Sequence, residues 1–307
     1  MVRELVVLGT ASQVPTRARN HNGYLLRWDG EGVLVDPGEG TQRQMTYADV
    51  SASSVTRVCL THLHGDHCLG LPGVVQRMAL DGVAREVPVH FPAGGEAHVA
   101  ALLASSAHVE TLQVRPAPVP PTPAPGVVVA DGAAWTLTAV ALDHRVPTVG
   151  YRLQEADGVR MLPERLAALS VAGPDVGRLQ REGVVEMGGR RVALDEVSEP
   201  RPGQSVAVVM DTRACDGALA LARGVDLLVC ESTFLDADRD LAERYGHLTA
   251  RQAGELAARA GARRLVLTHF SQRYGDSGEP FLAEAQQVHD DVVAAEDGMR
   301  VAVPRRR

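Results

Sequence analysis

The segment LTHLHGDHCLG, residues 60–70, places three histidines and an aspartate within six positions. His62, His64, Asp66 and His67 are too polar and too crowded to serve as core, because buried polar groups need partners for their lone pairs and hydrogens. Neutral imidazole and carboxylate are the nitrogen and oxygen donors that divalent zinc takes, and a catalytic zinc keeps one position open for water. Residues 62 and 64 have the spacing of a strand, which predicts both rings on one side. Gly65 permits a tight turn before Asp66 and His67.

Further donors stand just past apolar, strand-like runs. LTAVALD leads to His144, VAVVM to Asp211, DLLVC to Glu231 and RLVLT to His269. In sheets covered by helices, sites gather at the carboxyl ends of the strands. His62, His64, Asp66, His67, His144, Asp211 and His269 are too many donors for one tetrahedral ion. They suit two ions sharing one carboxylate, with Asp211 the natural bridge. A pair of ions a few ångströms apart clamps the attacking and leaving oxygens of a phosphoryl displacement.

The elements that must carry these residues are legible as alternation of short aliphatic strands and helices over the whole 307 residues, which predicts a single α/β domain, 1–307. Helices are expected over 73–82, 216–224, 248–262 with Thr249 as N-cap, and 280–296. RPAPVPPTPAPG, 115–126, reads as a stiff surface connection in polyproline geometry. Residues 154–203, rich in Gly, Pro and Arg, read as an extended insertion with weak strand signals.

Composition narrows the function. No apolar run is long enough to cross a bilayer, and MVRELVVLGT reads as a first strand rather than a signal peptide, so a cytoplasmic protein is expected. The four cysteines, Cys59, Cys68, Cys215 and Cys230, form no CxxC pair and read as buried free thiols. A net charge of −7 disfavours nucleic-acid binding by bulk charge. The chain has no lysine, and all 31 basic residues are arginine, the planar fork suited to phosphate and carboxylate.

Taken in order, THLHGDH, the N-terminal LGTASQVPTRARNHNGYLLR, VDPGEGTQRQ, GLPG, MDTRACDGALALARGVDLLVCESTFL, YGHLTARQAGELA and LVLTHFSQRY resemble the ribonuclease Z family, tRNA 3′-processing endonucleases, in its short form. The resemblance implies the metallo-β-lactamase fold, a four-layer αβ/βα sandwich with a dinuclear zinc site, manganese being the alternative metal. It implies His62, His64 and His144 on one ion, Asp66, His67 and His269 on the other, and Asp211 between them. Asp66 would also orient or deprotonate the nucleophilic water, and Glu231 with His247 would relay a proton to the leaving oxygen.

By the same resemblance, 154–203 is a tRNA-gripping arm. Gly173, Pro174, Arg178 and Arg181 are its expected substrate contacts, joined by Arg165, Arg190 and Arg191 on phosphates and by Ser271 and Arg273 beside the last histidine. Precursor tRNA is the implied partner, and a homodimer the implied assembly. Three positions depart from the family pattern: Pro37 for a frequent cysteine, Met210 for a frequent glycine, and Asp175 after Gly-Pro. The competing expectations are a hydrolase of small phosphodiesters or aryl sulfates on the same scaffold, and a non-hydrolytic RNA-binding subunit, against which the full ligand set argues. His64, where a di-iron redox site generally has Glu, disfavours that chemistry. The GEGTQ and arm segments disfavour a β-lactamase.

Overall fold

The computed structural model describes residues 2–107 and 111–306. The chain opens with an antiparallel meander of β1 (Arg3–Gly9), β2 (Gly23–Trp28) and β3 (Glu31–Val35). Then come α1 (Thr41–Tyr47), β4 (Arg57–Cys59), the single-turn α2 (Gly65–Cys68), α3 (Leu71–Leu80), β5 (Val87–Pro92), α4 (Glu96–Leu103) and β6 (Val114–Val119). The second half starts with β7 (Val127–Gly132), β8 (Trp135–Ala141) and β9 (Val149–Glu155). A small excursion carries β10 (Gly158–Met161), α5 (Pro163–Ala168), α6 (Pro174–Glu182), β11 (Val184–Met187), β12 (Arg190–Ala193) and β13 (Ser198–Arg201). The chain resumes with β14 (Ser205–Val209), α7 (Asp216–Ala222), β15 (Leu227–Glu231), α8 (Arg239–Tyr245), α9 (Ala250–Ala260), β16 (Arg264–Thr268), α10 (Glu279–Ala285), β17 (Val292–Ala294) and β18 (Arg300–Ala302).

Among the described residues two seven-stranded sheets form, ordered β18-β1-β2-β3-β4-β5-β6 and β17-β16-β15-β14-β9-β8-β7. The period of two along each strand sets the layers. Leu5 and Val7 of β1, Val206 and Val208 of β14, and Leu227 and Val229 of β15 meet in one cluster between the sheets. Their alternates face outward. Val6 and Leu8 pack with Met45, Leu71 and Val74 under the helices of the first half. Ala207, Val209 and Leu228 pack with Leu221, Ala253 and Ala257 under those of the second. Strands buried on both faces and helices outside both sheets make the four-layer αβ/βα sandwich expected from the sequence.

Helix α9 begins where expected. The Thr249 hydroxyl accepts from Gln252 N–H, and the Gln252 side chain accepts from Thr249 N–H, a reciprocal cap. Other expectations need correction. Residues 114–119 are an edge strand parallel to β5, not polyproline. Pro116 and Pro118 are tolerated because β6 pairs with β5 on one side and, among the described residues, no strand lies beyond it, so N–H groups missing from the outer side cost no ladder bond. The helix expected over 280–296 ends at Ala285, and Val292–Ala294 joins β16 as an edge strand. The β-branched pair Val292–Val293 favours pairing, and Asp291 is tied to Arg264 at 2.8 Å. His62 and His64 lie in a loop beyond β4 rather than on a strand, and Gly65 opens the turn of helix α2 rather than a bend. Cys68 sits on α2 and Cys215 is only half-buried, at the start of α7.

The segment 154–203 is not extended. Strands β10 and β13 pair as its base, β11 and β12 form a hairpin, and Val171, Leu179, Val185, Val192 and Val197 bury a core of their own. Helix α6 was hard to see because Gly177 interrupts it and only Leu179 of its nine residues is buried.

Candidate metal centre

Strands β3, β4, β8, β14, β15 and β16 all end on the same edge of the sandwich, and each delivers polar residues there. His62, His64, His144 and Asp211 bring one donor atom each within 4.8 Å of one another, and so do Asp66, His67 and His269. Asp211 joins the two groups. Its Oδ2 lies 3.5 Å from His62 Nε2 and 3.8 Å from His144 Nε2, and its Oδ1 lies 3.3 Å from Nε2 of both His67 and His269. One carboxylate thus offers one oxygen to each set.

The donors are held from behind. Asp36, fully buried, accepts the Thr61 N–H, the Thr61 hydroxyl and His67 Nδ1–H at 2.7, 2.7 and 2.9 Å. His144 Nδ1–H donates to Gly246 O at 2.8 Å. The Gln13 N–H donates to Asp66 Oδ2 at 2.7 Å. Glu231 accepts from Thr212 N–H at 2.7 Å and His247 Nδ1–H at 3.1 Å through Oε1, and from the Thr233 hydroxyl at 2.6 Å through Oε2. The role expected of His247 thus has a carboxylate behind it.

Three buried atoms aimed inward have no partner: His144 Nε2, Asp211 Oδ1 and His269 Nε2. Buried imidazole nitrogen and carboxylate oxygen left without hydrogen bonds and converging on one place are what a divalent cation fits. The backbone is also under tension here. Gln13, Asp36, Asp211 and His269 have φ of 49°, 48°, 44° and 62°, four of the seven non-glycine residues at positive φ among those described. Such conformations cost about 1–3 kcal/mol each and persist where surrounding bonds over-determine them.

The electrostatics follow the same division. Burial lowers the His62, His64 and His144 imidazoles below their ordinary value, keeping them neutral donors. Burial alone would raise Asp66 and Asp211, but the facing histidines outweigh it and hold both well below the usual carboxylate range. Burial would lower His247, and the Glu231 and Asp211 charges reverse that and raise it.

A cleft of about 560 Å³ opens over the centre. Ser271 and Arg273 line it, with Arg145 and Tyr245 on the wall beyond His64 and His247. The Arg145 guanidinium lies 5.6 Å from the Tyr245 ring centre and has no carboxylate partner among the described residues. The residues of 154–203 expected to contact substrate do not line this cleft. Gly173 caps α6 at φ 57°, Pro174 opens that helix, and Arg178 pairs with Asp175 at 3.0 Å. Arg190 pairs with Glu196 at 2.8 Å, whereas Arg165, Arg181 and Arg191 are exposed without a carboxylate partner among the described residues. Asp36, Thr61, Thr233 and Arg145 were not singled out from sequence. Asp36 follows β3 much as Asp211 follows β14, the one signal that could have found it.

The description Metallo-beta-lactamase superfamily matches residues 16–151, and Beta-lactamase superfamily domain matches 173–270. The chain is 57% identical to Ribonuclease Z of Nocardia farcinica, with 99% of each covered, and 57% identical to Ribonuclease Z of Streptomyces avermitilis, again with 99% of each covered. Among solved structures it is similar to human tRNase Z, short form, with a TM-score of 0.71 and 26% identity over 98% of this chain and 99% of that one. Likeness along the whole length, together with a paired His/Asp centre at the expected edge of the sandwich, means that the chain belongs to the ribonuclease Z family of the metallo-β-lactamase superfamily.

Proposed function

We propose that the protein is a zinc-dependent endoribonuclease that hydrolyses precursor tRNA at its 3′ trailer, leaving a 3′-hydroxyl on the tRNA. The observation that carries this reading is Asp211, whose two oxygens face separate histidine groups beneath an open cleft. His62, His64, His144 and Asp211 would hold one zinc, and Asp66, His67, His269 and Asp211 the other, with manganese as the alternative metal. When bound, such ions supply positive charge to the phosphoryl oxygens and acidify water at neutral pH.

The chain's own groups do the rest. Asp66, its Oδ2 anchored by the Gln13 N–H, stands where it can align a water and accept its hydrogen. His247 keeps its Nδ1–H on Glu231, which leaves Nε2 to give a proton to the departing 3′-oxygen as the bond to phosphorus breaks. Glu231 is fully bonded and acts by holding that ring. Ser271 and Arg273 at the cleft would position the flanking phosphates. The substructure of 154–203, with Gly173, Pro174, Arg178 and Arg181, would grip tRNA by shape and phosphate at a distance. A homodimer and a cytoplasmic location complete the proposal. Among the described residues no helix is long and apolar enough to cross a membrane.

One observation favours a second reading, hydrolysis of small phosphodiesters. Arg178 and Arg190 on the arm are already neutralised by Asp175 and Glu196. Met161 and Ser198 pair across the base of the arm, so a short Gly-Ser turn can replace 162–197. The tRNA reading expects that variant to lose precursor cleavage while still cutting a chromogenic diester. Undiminished precursor cleavage would refute the arm's role.

A further inference from the structure

The two halves of the sandwich back their histidines with the same three-part arrangement. In the first, the Thr61 hydroxyl lies 2.7 Å from Asp36 Oδ2 and 3.1 Å from His62 Nδ1. In the second, the Thr233 hydroxyl lies 2.6 Å from Glu231 Oε2 and 2.7 Å from His269 Nδ1. Each carboxylate also takes the Nδ1–H of a second ring, His67 on Asp36 and His247 on Glu231. Both threonines are buried.

A hydroxyl has one hydrogen and two lone pairs, and an ionised carboxylate only accepts. Each threonine must therefore donate its hydrogen to the carboxylate and can only accept from the imidazole. That requires His62 and His269 to carry hydrogen on Nδ1 and present a bare lone pair at Nε2. The Nε2 atoms do face inward. His62 Nε2 lies 3.5 Å from Asp211 Oδ2, and His269 Nε2 lies 3.3 Å from Asp211 Oδ1.

We propose that Thr61 and Thr233 are positioning residues of the metal centre, each fixing the tautomer and aim of one histidine, His62 and His269 respectively. The threonines convert two buried carboxylates, already engaged with His67 and His247, into supports for two further rings. Thr61 thus orients a donor of one set, His62, and Thr233 a donor of the other, His269. This inference rests on the zinc centre proposed above but not on the RNA substrate.

The test is zinc binding by the full chain, read by competition with a chromophoric chelator, with no RNA present. Thr61→Val and Thr233→Val keep the shape and remove the hydroxyl. Each is expected to weaken one of two zinc sites by roughly 10–100-fold, the usual loss when a partner behind a ligand is removed. Thr61→Ser and Thr233→Ser are expected to bind as wild type. A second measurement needs no variant. Nitrogen-15 shifts of the histidine rings in the zinc-loaded wild type should show Nδ1 protonated and Nε2 metal-bound for His62 and His269. Valine variants that bind zinc as wild type, serine variants as impaired as valine, or zinc on Nδ1 of either ring would overturn the proposal. Failure of tRNA cleavage alone would leave these readings unchanged and would count against the nuclease reading instead.

Discussion

Asp36 lies 2.9 Å from His67 across 31 residues of chain, with both side chains fully buried. Its carboxylate also receives the Thr61 N–H, so an amide in its place would point a donor at a donor. Asp36→Asn is expected to destabilise the fold by about 1–3 kcal/mol, the cost of a buried group left unpaired. It should also weaken zinc binding by roughly 10–100-fold. Thermal unfolding and chelator competition measure the two effects.

Asp211→Ala and His67→Ala should abolish hydrolysis while leaving the circular-dichroism spectrum close to wild type. Asp211 stands just past β14 and His67 on the single-turn α2, and neither belongs to the three apolar clusters of the sandwich. Loss of the spectrum in both variants would mean that the centre also holds the fold together.

Gly246 combines three constraints. Its φ is 78°, its carbonyl takes the His144 Nδ1–H, and an added Cβ would stand 2.8 Å from that same nitrogen. Gly246→Ala should therefore push His144 away from Asp211 and weaken one zinc site, at some cost in stability from the strained backbone. Chelator competition should show the other site unchanged.

Arg145 follows His144 directly and faces the cleft without a carboxylate partner among the described residues. Arg145→Ala should weaken RNA binding and reduce the slope of log affinity against log salt by about one phosphate's worth, ~0.7 on a single strand. Filter binding across a salt series reads this directly.

His90 supplies a pH signature of stability. Burial, aided by the Arg57 and Arg115 charges, lowers its imidazole from 6.5 to about 4. Between those values the unfolded chain binds a proton that the folded chain does not, so this residue's contribution falls as pH drops from 6.5 to about 4 and is constant below. His90→Leu should remove that slope, and denaturant unfolding at several pH values compares the two proteins.

Much of the centre was legible because imidazole and carboxylate are rare directly after apolar strands. His144, Asp211 and His269 each follow such a run, and the structure brings them beside the HxHxDH cluster. The residues behind them were not legible. Thr61, Thr233 and Asp36 are ordinary at strand ends, and their meaning lies in which hydrogen goes to which atom. The fold was legible where short continuous aliphatic runs mark strands buried on both faces, as in β1, β14 and β15. It was misread where composition and context disagree. Pro116 and Pro118 discourage a strand except at an edge with nothing beyond it. Val292 and Val293 continue a helical run on paper but pair with β16 in space. Within 154–203, elements of four to nine residues carry too few apolar positions to show a period.

The most direct test is cleavage of a precursor tRNA by wild type and Asp211→Ala, each loaded with zinc or stripped by chelator, with both product ends identified. Zinc-loaded wild type should release the trailer with a 5′-phosphate and leave a 3′-hydroxyl on the tRNA, and the other three samples should be inert. Cleavage that survives both the chelator and the loss of Asp211, or a zinc-loaded wild type that leaves the precursor intact, would contradict the two-ion centre as the seat of tRNA processing.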